Sequence, residues 1–174
     1  MNIPNILTMF RLCLIPVYFL VFFSDSPRNM LWALSVLIVA GLTDVVDGYL
    51  ARRYQWVTDL GTMLDPLADK LMMLAVLLSF VIDGRVSWIT AGLLIFRDVG
   101  MIVASIFFVT RGQKTVPATL WGKLNTVFSY IAMVAVLFNW PNAELYLWAV
   151  ILFAFGTSLL YLRQFRLLNT RSIQ

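Results

Sequence analysis

The chain has 174 residues, 61% of them hydrophobic and 13% charged, with a formal net charge of +4. A soluble domain of this length would carry roughly a quarter charged residues, so the composition indicates an integral membrane protein and excludes disorder and nucleic-acid binding. Histidine is absent and Cys13 is the single cysteine, which excludes Ser-His-Asp and Cys-His catalysis, histidine-based zinc sites and any internal disulfide.

Six segments are long and apolar enough to be predicted as membrane helices, for which about 20 residues are needed. They run from about Ile6 to Phe23, Leu31 to Leu50, Leu64 to Ile82, Ser87 to Val109, Leu120 to Trp140 and Leu145 to Leu162. The opening "MNIPNILTMFRLCLIPVYFL" lacks a basic leader region, and Arg11 interrupts its apolar run. It therefore reads as a first membrane helix that stays attached, not as a cleaved signal. Cys13, inside that run, is expected to be a small buried hydrophobe. The connections are short and polar, so the expected fold is an all-α, six-transmembrane-helix bundle forming a single domain over 1–174.

Lys and Arg set the orientation. With the N-terminus inside, the interior segments carry Arg52, Arg53, Arg111, Lys114, Lys123, Arg163, Arg166 and Arg171, and the exterior loops only Arg28 and Arg85. This bias places both termini and the second-to-third helix connection at the cytoplasmic face. A basic cytoplasmic rim suits anionic membrane lipids and requires no nucleic acid. Trp32, Trp56, Trp88, Trp121 and Trp140 fall near segment ends, as interfacial anchors do.

The chemistry concentrates in "DVVDGYLARRYQWVTDLGTMLDPLADK", which holds five of the nine acidic residues. Asp44 and Asp47 are three apart and Asp65 and Asp69 four apart, so each pair shares a helix face. A hairpin between the second and third helices would bring the pairs together, where they would repel unless a cation held them. An ion-pair network with Arg52, Arg53 and Lys70 is one solution. Divalent metal is the other, and an all-oxygen donor set suits Mg²⁺ or Mn²⁺. Four carboxylates hold two such ions, an arrangement that clamps the oxygens of a transferring phosphoryl group. Gly48 and Ala51 leave a small-residue patch, open either to a ligand's approach or to close helix packing. Arg52 beside them is placed to meet a phosphate.

Asp44, Asp47, Gly48, Ala51 and Arg52, followed after eight residues by Gly61, Asp65 and Asp69, resemble the signature of the CDP-alcohol phosphatidyltransferase family. The opening "NIPNILTMFR" is similar to its glycerol-type branch. The resemblance implies metal-dependent transfer of a phosphatidyl group from CDP-diacylglycerol to an anionic glycerol-type acceptor, with release of CMP. It further implies Asp44, Asp47, Asp65 and Asp69 as metal ligands, and Asp69 as the base for the acceptor hydroxyl. Gly48, Ala51, Arg52 and Gly61 would form the CDP surface, with Asn5 and Thr8 covering the cytidine. A homodimer in a bacterial cell membrane is the expected assembly and setting.

Arg97, Arg111, Lys123 and Asn125 are the candidate acceptor contacts. Asp98, Ser105 and Asn125 depart from the pattern of the phosphatidylglycerolphosphate synthases, and two of these departures remove a cation. A diester acceptor of one charge needs fewer cations than a phosphomonoester. The expected acceptor is therefore phosphatidylglycerol, as in cardiolipin synthases, with glycerol 3-phosphate as the alternative. A cation-binding transporter is the remote alternative, since intramembrane carboxylates also mark ion pathways.

Overall fold

The computed structural model describes residues 3–54, 59–110 and 120–170. Among the described residues the chain is all-helical, with no strand. The helices are α1 (Ile3–Phe22), α2 (Asn29–Tyr54), α3 (Asp59–Ile82), α4 (Trp88–Thr110), α5 (Leu120–Leu137) and α6 (Ala143–Thr170). The stretches Asn29–Ala51, Leu120–Leu137 and Ala143–Tyr161 are long and apolar enough to cross a membrane, and Ile6–Phe22 is a shorter apolar helix. The chain is an all-α integral membrane protein.

Contacts divide it into two compact units, Met1–Ile82 and Asp83–Gln174. In the first, α1 packs against both α2 and α3. Its core is Tyr18 and Phe22 of α1, Ala33 and Ala40 of α2, and Ala68, Met72, Ala75, Val76 and Phe80 of α3. Alanines seven residues apart on α2 and again on α3 form small-residue seams, which let membrane helices approach closely. A hydrogen bond between Tyr18 Oη and Ser79 Oγ, 2.9 Å long, pins α1 to α3 within this apolar region. The α1–α2 turn is tied by one side chain. Asn29 Nδ2 donates to Phe22 O and Ser24 O, and its Oδ1 accepts from the Met30 amide.

In the second unit, α6 packs against α4 and α5. Helix α5 stops at Leu137, short of the expected Trp140, because Asn139 adopts a left-handed φ of 54°. The Trp140 amide then reaches back to Ala135 O at 2.9 Å, closing the helix with a Schellman-type bond.

Two expectations change. Cys13 is exposed, on an outward face of α1, because an apolar run in a membrane helix faces lipid as readily as protein. Helices α2 and α3 also extend beyond their apolar stretches, α2 to Tyr54 and α3 back to Asp59. The acidic signature is therefore helical on both sides of its connection. Trp32, Trp88, Trp121 and Trp140 are all at least half exposed near helix ends, in keeping with interfacial anchoring; Trp56 lies outside the described residues.

Candidate active site

The site of the first unit is assembled by three helices, with α1 supplying the centre. On α2, Asp44 and Asp47 lie one turn apart. Asp47 is 2% exposed, whereas the Asp44 side chain is about half exposed. On α3, Asp65 and Asp69 lie one turn apart and are half-buried. Thr8 and Arg11 of α1 are three residues apart, hence on one helix face, and both are fully buried.

Each reaches a different acidic helix. The Thr8 hydroxyl donates to Asp65 Oδ1 at 2.5 Å. Arg11 Nη2 donates to Asp47 Oδ2 at 2.5 Å, and its Nη1 lies 2.8 Å from Asp44 Oδ1. The second contact is an ion pair without a formed hydrogen bond, and Arg11 Nε is buried with no acceptor. Asp47 thus sits in the combined field of Arg11, Asp65 and Asp44.

This geometry differs from the hairpin expected between the second and third helices. Among the described residues, no three of the carboxylates gather closely enough to hold one ion as they stand. Thr8 instead engages Asp65 of α3, and Arg11 engages Asp44 and Asp47 of α2. A cation that does pair with Asp44 and Asp47 is Arg11, and the Arg52 side chain lies outside the described residues. Arg53 instead donates to the Tyr49 hydroxyl and lies over the Tyr49 ring, 5.6 Å from its centroid.

The donor chemistry nonetheless fits a hard divalent ion. Asp44 and Asp47 share one guanidinium, Asp65 accepts from the neutral Thr8 hydroxyl, and all three side chains offer oxygen ligands.

Gly48 and Ala51 are half-buried on α2, one and four residues beyond Asp47. The side chains of Asn5, Arg52 and Lys123, and the surroundings of Gly61, lie outside the described residues; so do the Ser105 side chain, Arg111 and Lys114. In the second unit, Arg97 pairs with the adjacent Asp98 at 2.9 Å, and its Nε donates to Ser158 Oγ of α6 at 3.3 Å. Asn125 of α5 is buried, and its Oδ1 has no hydrogen-bond partner. Such an orphaned acceptor is costly unless a ligand or water completes it.

Sequence reasoning missed Arg11 and Ser158 as site residues. The signal for Arg11 was present: a cation inside an apolar helix requires a carboxylate partner at membrane depth. Its partner Asp47 lies 36 residues away, so no local pattern links the two.

A family model described as CDP-alcohol phosphatidyltransferase matches residues 1–159, and so crosses both compact units. Among curated proteins, the chain is 32% identical over 144 residues to a CDP-diacylglycerol–glycerol-3-phosphate 3-phosphatidyltransferase of Haemophilus influenzae, covering 81% of this chain and 78% of that one. Its counterpart from Pseudomonas fluorescens is 34% identical over 160 residues, 89% of this chain and 80% of that one. The Escherichia coli protein of the same name is 34% identical over 145 residues, covering 81% and 79%.

Proposed function

Because the chain belongs to the CDP-alcohol phosphatidyltransferase family and transfers a phosphatidyl group from CDP-diacylglycerol, we propose that its acceptor is glycerol 3-phosphate and its product phosphatidylglycerol phosphate. The observation that carries this reading is that relatives bearing that activity in their names align along most of both chains. It reverses the order of acceptors expected from Asp98, Ser105 and Asn125. The missing cations at two of those positions are then supplied by Arg111 and Lys114, with Arg97, Lys123 and Asn125 completing the acceptor contacts. Family membership sets aside the transporter alternative.

The family generally uses a divalent metal. Here Asp44, Asp47, Asp65 and Asp69 are the proposed ligands, for two ions of Mg²⁺ or Mn²⁺. These carboxylates would hold the metal where it would neutralise the diphosphate and stabilise the departing CMP. The remaining work falls to the chain. Asp69 takes the proton from the acceptor hydroxyl, a carboxylate serving as base in a chain without histidine. The freed oxygen bonds to the phosphatidyl phosphorus as the bond from that phosphorus to CMP breaks. Gly48, Ala51 and Arg52 form the surface for CDP, Gly61 admits the nucleotide and Asn5 covers the cytidine, while Thr8, fully buried against Asp65, orients that carboxylate rather than covering the base. The positive-inside bias supports catalysis at the cytoplasmic face. A homodimer is the expected assembly from the resemblance.

The test is a purified-protein assay with CDP-diacylglycerol and Mg²⁺, offering glycerol 3-phosphate and phosphatidylglycerol in separate reactions. Phosphatidylglycerol phosphate in the first is the expected product. Cardiolipin in the second, with none in the first, would overturn the acceptor assignment and favour the reading from Ser105 and Asn125.

A further inference from the structure

The buried arginine at the centre of the acidic site is unusual in how it is held. A buried ion pair repays its desolvation only when geometry is excellent and the remaining donors are satisfied. Arg11 fails the second condition. It is 2% exposed, yet Nε has no acceptor and Nη1 makes no formed hydrogen bond. Its formed hydrogen bond runs from Nη2 to Asp47, beside the 2.8 Å ion pair of Nη1 with Asp44. A side chain kept only for helix packing would not leave donors orphaned among oxygen-rich neighbours.

Its contacts explain its placement. Nη1 and Nη2 approach Asp44 and Asp47, two carboxylates one helical turn apart, and these are oxygens through which the same two side chains would hold a divalent ion. A guanidinium and a metal cannot both occupy those positions. Without any cation, Asp44, Asp47 and Asp65 would repel one another at membrane depth and the end of α2 would open. Thr8 secures Asp65 from the same face of α1 and adds no charge, whereas Arg11 brings a positive charge to Asp44 and Asp47.

We propose that Arg11 is the resident counter-ion of the metal site, holding Asp44 and Asp47 in the metal-free protein and competing with a divalent cation for them. It is a positioning residue: it keeps the ligand pair together and oriented before loading, and it yields these carboxylates on loading. The proposal rests on the assignment of Asp44 and Asp47 as metal ligands.

Competition has a sign that a purely structural role lacks. Mn²⁺ binding is measured by electron paramagnetic resonance on the full chain in lipid nanodiscs, for wild type, R11Q and R11K. Melting temperature is recorded for each, in chelator and in saturating Mn²⁺. Removing the competing charge in R11Q should tighten Mn²⁺ binding, by a factor within the roughly 5–150-fold range of coupled sites. The same variant should melt lower than wild type in chelator and recover most of that loss with Mn²⁺. R11K, which keeps a smaller cation, should fall between the two. Should R11Q not survive purification in chelator, it can be purified with Mn²⁺ and the metal then titrated away. On wild type, ¹⁵N-arginine spectra should show the buried Nε signal moving as Mg²⁺ saturates.

Equal or weaker Mn²⁺ binding in R11Q, beside intact binding in wild type, would overturn this proposal and leave the metal assignment standing. An Nε signal unmoved by saturating Mg²⁺ would do the same. Wild-type protein that binds no Mn²⁺ would overturn the metal assignment, and this proposal with it.

Discussion

Two polar clusters in this membrane protein invite comparison. One is the Thr8–Arg11–Asp44–Asp47–Asp65 site of the first unit; the other joins helix ends in the second. In the latter, Ser87 caps α4, accepting from the Thr90 amide at 3.2 Å. Glu144, at the start of α6, accepts from the Ser87 amide at 3.0 Å and from the Thr90 hydroxyl at 2.7 Å. Arg85 donates to Leu137 O at 2.7 Å, covering a carbonyl that the end of α5 leaves open, and also pairs with Asp83. The two clusters differ in how completely they are satisfied. The Glu144 cluster consists of ordinary capping bonds between short polar groups and backbone, which is what stabilises helix ends. The Arg11 site buries more charge and satisfies less of it, with Arg11 Nε and Nη1 lacking hydrogen-bond partners.

The largest effect is expected at Asp69. Asp69→Asn should reduce phosphatidyl transfer by about 10²–10⁴-fold, the range for losing a general base, with helical circular dichroism retained. Turnover near the wild-type rate would remove Asp69 from the chemistry. Asp47→Ala should act on both stability and activity. It removes the hydrogen-bonded, fully buried partner of Arg11 and leaves only the half-exposed Asp44, so unfolding should become easier by about 3–5 kcal/mol in metal-free protein, read from denaturant or thermal melts. A loss of under about 1 kcal/mol would mean that the pair is solvated and that the contrast drawn above is wrong. The smallest effect is expected in the second cluster. Glu144→Ala removes the acceptor for the Ser87 amide and the Thr90 hydroxyl, and should cost about 1–2 kcal/mol of stability with turnover unchanged below the melting transition. A large drop in turnover at constant stability would show that this cluster, too, serves catalysis.

Much of the molecule was legible from local pattern. The apolar runs predicted six helices, because a backbone in lipid must satisfy its own hydrogen bonds and a helix does so within one segment. The three- and four-residue spacings placed Asp44 with Asp47 and Asp65 with Asp69, because helical neighbours share a face regardless of tertiary context. Helix ends were less legible. The stop of α5 depends on Asn139 turning left-handed, a preference that asparagine only sometimes exercises. The acceptor was least legible, since counting cations cannot tell which basic residues converge on one ligand.

Sequence by itself thus determined the class, the membrane helices and the identity and pairing of the carboxylates, because these follow from periodicity along one segment. Only the tertiary structure decided that α1 stands against both α2 and α3, with Thr8 engaging Asp65 and Arg11 engaging Asp44 and Asp47. Which cation neutralises Asp44 and Asp47 is settled by distances across helices, where residues 36 positions apart approach to 2.5 Å. Charged groups near in sequence, such as Arg53, turn to other partners because a helix face directs each side chain to what that face meets.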